Sequence, residues 1–155
     1  MTIQHDSGEC SLVLFPIRKQ RFAVDSRVLR ELAPPVRLHK FPHTSRALVG
    51  VIVRRGRIIP VYDAGSLLVG KSSTTHRFYL IVQCDPQEPN DFAAIPVDGE
   101  CELTTASVQA GTDDRTYVSG VATIGEESIP VLNLAALVAW SNSEAEAPSH
   151  AEMHS

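Results

Sequence analysis

Histidine, cysteine and carboxylate side chains are the groups through which this chain would do metal, nucleophilic or acid–base chemistry, and few of them are grouped. The six histidines are His5, His39, His43, His76, His150 and His154. His39 and His43 have the i,i+4 spacing that would bring two imidazoles to one helix face. Pro42 lies between them, however, and no carboxylate adjoins to complete a ligand set. They read as exposed loop histidines, and no metal site is expected. Asp25 and the pair Asp113-Asp114 could act as acids or bases. The stretch Gly111-Thr112-Asp113-Asp114-Arg115 has turn chemistry instead, because aspartate side chains bond their own backbone. No serine stands in a GxSxG elbow, and no GxxxxGK[ST] or GxGxxG is present to cradle phosphate. Cys10, Cys84 and Cys101 form no CxxC, and the last two lie in strand-like runs where they read as small core hydrophobes. The reactive side chains do not converge, so neither an enzyme nor a cofactor is expected.

The sharpest charged feature is Arg54-Arg55-Gly56-Arg57. One reading is a solvated hairpin turn in which Gly56 supplies positive φ between two strands. The other is a recognition surface whose guanidinium forks meet carboxylates on a partner. Pattern alone leaves both open.

The elements that hold this cluster are short and apolar. Runs rich in Val, Ile, Phe and Tyr recur at 12–17, 22–24, 49–53, 58–62, 78–84, 92–97, 118–122 and 129–132, separated by Gly, Pro or charge. That spacing predicts many short strands, hence an all-β barrel or sandwich. Pro34-Pro35 stops any helix begun near 26–32. An internal repeat orders the pattern. Residues 50–68 laid over 120–138 match at Gly50/Gly120, Val51/Val121, Ile59/Ile129, Pro60/Pro130, Val61/Val131 and Leu67/Leu137. Asp63 and Asn133 fall at equivalent helix N-cap positions. Pro60 and Pro130 should each mark a sheet edge or a strand end. The second copy carries Gly125-Glu126-Glu127 where the first carries its arginines, a divergence that folding alone does not require.

The repeat predicts two small β subdomains, about 11–72 and about 73–140, forming one domain over 11–140. Units this small bury little on their own, so a shared apolar seam with a groove between them is expected. Residues 1–10 read as a flexible N-terminus and 141–155 as a disordered polar tail. With 14 basic and 18 acidic residues the net charge is −4, which argues against nucleic-acid binding. No basic-then-apolar leader opens the chain and no run approaches the roughly 20 apolar residues of a membrane span, so a cytoplasmic protein without membrane insertion is expected.

The run from Leu48 to Asp63, LVGVIVRRGRIIPVYD, resembles the signature of the CheW family of chemotaxis coupling proteins. Arg21-Phe22-Ala23-Val24, Val28-Leu29-Arg30-Glu31-Leu32, Ala94-Ile95-Pro96-Val97-Asp98-Gly99, Tyr117–Val121 and Ile129–Leu134 resemble further segments of it, so the likeness covers about 11–140. Val53 and Arg54 stand where that family usually has Asn and Leu. The resemblance implies two five-stranded SH3-like barrels on a shared core, with one or two short helices. It implies an adaptor without cofactor that binds a CheA-type histidine kinase and the cytoplasmic tip of chemoreceptors, recruited to receptor arrays at the inner membrane. It points to Glu31, Gly50, Val53, Arg54, Arg55, Gly56, Val97 and Asp98 as partner-binding residues, with Glu31 and Arg55 expected to pair. A specialised relative serving another motility or signalling array, or a small-barrel ligand-binding domain or enzyme using the groove, are the alternatives. A buried polar, titratable cluster in the groove would favour the last of these.

Overall fold

The computed structural model describes residues 9–40, 47–70, 78–85, 87–110 and 115–141. Ten strands account for most of them: β1 (Glu9–Ile17), β2 (Gln20–Asp25), β3 (Leu29–Ala33), β4 (Leu48–Arg54), β5 (Arg57–Tyr62), β6 (Phe78–Gln83), β7 (Phe92–Val97), β8 (Glu102–Gln109), β9 (Val118–Ile124) and β10 (Glu127–Leu132). Helix α1 (Ala64–Leu68) follows β5, and helix α2 (residues 134–141) follows β10. Both open as the repeat implies. Asp63 Oδ1 accepts from the Gly65 N–H at 3.1 Å, and Asn133 Oδ1 accepts from the Ala136 N–H at 3.1 Å. Each satisfies an N–H that the first helical turn leaves unpaired.

The strands form two five-stranded sheets. The first is a closed barrel in the order β1-β2-β10-β9-β8; the second runs β3-β6-β7-β5-β4. The neighbour orders are the same once β1–β5 are laid over β6–β10. Sheet membership nevertheless cuts across the division expected near residue 72. Each sheet takes its first two strands from one repeat and its last three from the other. Hydrophobic periodicity specifies which face of a strand is buried and carries no information about which copy it pairs with.

Burial explains which strands sit at the centre. On β1, Leu12 and Leu14 line the barrel interior, while Val13, Phe15 and Ile17 face the other sheet. On β6, Tyr79 and Ile81 line the second sheet, while Leu80 and Val82 turn outward to the same shared layer. Phe22 and Val24 of β2, and Ala93, Ile95 and Val97 of β7, join that layer, together with Leu68 of α1 and Leu134 and Leu137 of α2. Strands buried on both faces read as unbroken apolar runs, as these do. Among the described residues the seam is thus the largest of three cores, with one smaller core inside each sheet.

Three expectations need correction. Pro60 and Pro130 lie in β5 and β10, which are interior strands. Each precedes the first residue that pairs with the parallel neighbour, Val61↔Ala94 and Val131↔Ala23, so no ladder hydrogen bond is lost. Glu9 and Cys10 belong to β1, paired with Ser107 and Ala106 of β8, although they fell within the expected flexible N-terminus. Ser141 belongs to α2 and is buried, although it fell within the expected tail. The remainder of both termini lies outside the described residues. Among the described residues no helix is long and apolar enough to cross a membrane.

Candidate interaction surface

The arginine cluster sits at the tip of the β4–β5 hairpin. Arg55 at φ 55° and Gly56 at φ 76° are its two central residues, and two positive φ angles match the twist of a two-residue hairpin. Cross-strand register then fixes the faces. Ile52 pairs with Ile59 on the inner face, and both are buried. Val53 pairs with Ile58 on the outer face, where they are 53% and 73% exposed. The result is a solvated apolar pair rimmed by guanidinium groups. Arg57 donates to Asn90 Oδ1 at 2.9 Å and lies 4.7 Å over the Phe92 ring, which fixes it against the β6–β7 turn.

Glu31 enters from β3, on the opposite margin of the second sheet. It pairs mainly with Arg54 rather than with Arg55. Arg54 Nε lies 2.9 Å from Glu31 Oε2, and Nη2 reaches the same oxygen. Arg55 reaches Oε1 and Oε2 at 3.4 and 3.3 Å and stays 72% exposed. The hydrogen bond from Arg54 is the main cause that holds the Glu31 carboxyl below the usual glutamate range, and it raises the Arg54 guanidinium in turn. The expected Glu31–Arg55 pairing is therefore present only as the longer of two contacts.

The equivalent hairpin, β9–β10, is chemically opposite. Thr123 and Ser128 occupy the places of Val53 and Ile58. Gly125 at φ 62° and Glu126 form its two-residue turn, and Glu127 opens β10 opposite Ile124. Glu127 accepts from Arg21 at 2.7 Å, and Arg21 also reaches Glu102 at 3.4 Å.

Of the expected contact residues, Glu31, Val53, Arg54, Arg55 and Gly56 are brought to one surface. Three are not. Val97 is fully buried in the seam, opposite Phe78, so it packs rather than contacts. Gly50 is buried where a Cβ would lie 2.5 Å from the His39 carbonyl oxygen, which makes it a close-approach glycine. Asp98 accepts the Arg18 N–H through Oδ2 and donates its own N–H to the Pro16 carbonyl at 3.0 Å, tying the β1–β2 turn to the end of β7. Ile58 was missed, though the signal was there: a two-residue turn centred on Arg55-Gly56 places it opposite Val53.

Elsewhere the chemistry is sparse. A cavity of about 500 Å³ is lined by Leu12, Asp25, Val28, Cys84, Val131 and Leu134 among others. Asp25 is already engaged by Arg27 at 2.7 Å. Burial pushes the Cys84 thiol up to about 11, with the nearby Asp91 charge adding to it. Among the described residues no group of three His, Cys, Asp or Glu side chains could hold a metal ion. Asp113-Asp114 and His43 lie outside those residues.

The chain is similar to a probable chemotaxis protein CheW of Rhizobium etli, 26% identical over 149 residues, covering 90% of this chain and 94% of that one. Its fold resembles the crystal structure of the scaffolding protein TtCheW from Thermoanaerobacter tengcongensis, with a TM-score of 0.70 at 22% identity over 86% of this chain and 90% of that one. The family model described as the CheW-like domain matches residues 11–142, and the chain belongs to that family.

Proposed function

We propose that this protein is a non-enzymatic adaptor of chemotaxis signal transduction, coupling chemoreceptors to a CheA-type histidine kinase. The observation that carries the reading is the hairpin surface of a CheW-like domain. It exposes Val53 and Ile58 beside Arg55, while the reactive side chains elsewhere stay dispersed. An exposed apolar pair rimmed by arginine suits a protein partner, because burial of the pair supplies affinity and the forks supply register. The cavity supports the same choice, since apolar side chains dominate its lining and its one carboxylate is engaged.

Signal transfer then follows from linkage. An adaptor that holds receptor and kinase together converts a receptor rearrangement into a difference in affinity between kinase states. The Val53-Arg54 departure from the family signature supports a second reading, a specialised relative serving another motility or signalling array.

The test is isothermal titration against the regulatory domains of the CheA-type kinases, and against receptor cytoplasmic fragments, from the same organism. Micromolar or tighter binding to one kinase, weakened at least tenfold by Ile58→Asp, is the expected result. Failure to bind any of the kinases at micromolar concentration overturns the reading.

A further inference from the structure

The two sheets differ in one ladder, and the difference assigns a role to Arg54. In the first sheet β8 and β9 pair at Ser107↔Thr123, Val108↔Ala122 and Gln109↔Val121, and these bonds close the barrel. At the 70-residue offset the corresponding pairs in the second sheet would be 37↔53, 38↔52 and 39↔51. Only the last is present, as the isolated bridge in which His39 and Val51 exchange bonds of 2.8 and 2.9 Å. Pro34-Pro35 interrupts the strand that β8 continues without a break, because proline has no N–H to give the ladder. Residues 34–38 cross the opening without strand pairing, and β3 and β4 are left as the two margins of the sheet.

Side chains span this gap. Glu31 stands on β3, Arg54 on β4, and their contact runs from one margin to the other. Both are largely covered, at 19% and 26% side-chain exposure, unlike Arg55. In the first sheet the residue equivalent to Arg54 is Ile124, and the glutamate Glu102 turns instead to Arg21. A barrel closed by backbone pairs needs no ion pair at that place.

We propose that Arg54 closes the second barrel by bridging to Glu31, and that Arg55, which holds the same glutamate only by longer contacts of 3.3 and 3.4 Å and stays exposed, gives its fork to a carboxylate on the protein partner. The second half rests on the adaptor reading above; the first half does not. Arg54 is thus a positioning residue and Arg55 a contact residue, although the two are adjacent and chemically identical.

Amide hydrogen exchange on the full-length protein separates them. Arg54→Leu should speed exchange of the β3 and β4 amides about fivefold, the scale of a modest ion pair, while β8 and β9 amides keep their rates as an internal control. Arg55→Leu should leave all four strands unchanged and weaken binding to the kinase regulatory domain about tenfold, more at low salt than at high. Should Arg54→Leu fold poorly, the doubly reversed Glu31→Arg/Arg54→Glu protein should recover the slow exchange that Glu31→Arg alone loses. Equal acceleration by Arg54→Leu and Arg55→Leu, unchanged β3 and β4 exchange in Arg54→Leu, or absence of rescue would overturn the closure. Wild-type binding undiminished in Arg55→Leu would overturn the contact role. Wild-type failure to bind would refute the adaptor reading, with the exchange rates still deciding the closure.

Discussion

Replacing Gly50 by alanine tests whether this residue belongs to the scaffold or to the contact surface. An added Cβ would lie 2.5 Å from the His39 carbonyl oxygen and 3.0 Å from Leu38 Cδ1, and the first of these distances is too short for any real contact. The carbonyl is backbone and accepts the Val51 N–H at 2.9 Å, so relief requires the bridge between His39 and Val51 to part. Two backbone hydrogen bonds at about 1 kcal/mol each, with about 1 kcal/mol for an L side chain at φ 155°, give a loss of about 3 kcal/mol. Urea unfolding should show this as a lower midpoint with unchanged slope. Gly125→Ala is the control: its φ of 62° is also positive, in the left-handed region that Arg55 enters, but its added Cβ meets nothing within 4 Å. It should lose only about 1 kcal/mol. If Gly50→Ala is no less stable than Gly125→Ala, the close-approach argument fails. If it is fully stable yet loses partner binding, Gly50 is a contact residue after all.

Three further outcomes follow. Val97→Asn should cost about 3 kcal/mol by leaving an amide unsatisfied in the seam, whereas Val53→Asn should stay within about 0.5 kcal/mol of wild type and lower partner affinity; urea unfolding and titration calorimetry read the two effects. Because the folded-state pKa of Glu31 is lowered, its contribution to stability is complete above the ordinary glutamate value of 4.5 and disappears as pH falls through the depressed one. Glu31→Gln should therefore flatten that part of the acid limb in a stability-versus-pH series, and an unaltered limb would count against the pairing. Burial pushes Cys84 and Cys101 up to about 11, so at pH 8 only about one thiol in a thousand is thiolate. Alkylation of both should be slow in the native protein and fast in urea, as mass spectrometry of the labelled peptides would show.

Much of the architecture was legible in residue order. The runs at Leu12–Ile17 and Phe78–Cys84 marked strands, and they are nearly unbroken because a strand packed on both sides has few polar positions to alternate. Asp63 and Asn133 marked the helix starts through their capping chemistry, and the offset repeat gave the two sheets their common strand order. The hairpin at Arg55-Gly56 was equally local, since turn type follows from the residues that tolerate positive φ.

Strand partnership was decided only in three dimensions. β1 and β2 could have completed either sheet on periodicity alone. Long-range pairing set them beside β10 and β8, and the same pairing sent β6 and β7 into the other sheet. Tertiary structure likewise removed Val97 from the contact set by turning it into the seam. It also handed Glu31 to Arg54 instead of its neighbour, because residues adjacent on a hairpin end differ in which way their side chains can reach across a gap. Sequence spacing records periodicity and local turn chemistry; the distance from Glu31 to either arginine is set by a sheet opening that Pro34-Pro35 creates and that only the folded chain defines.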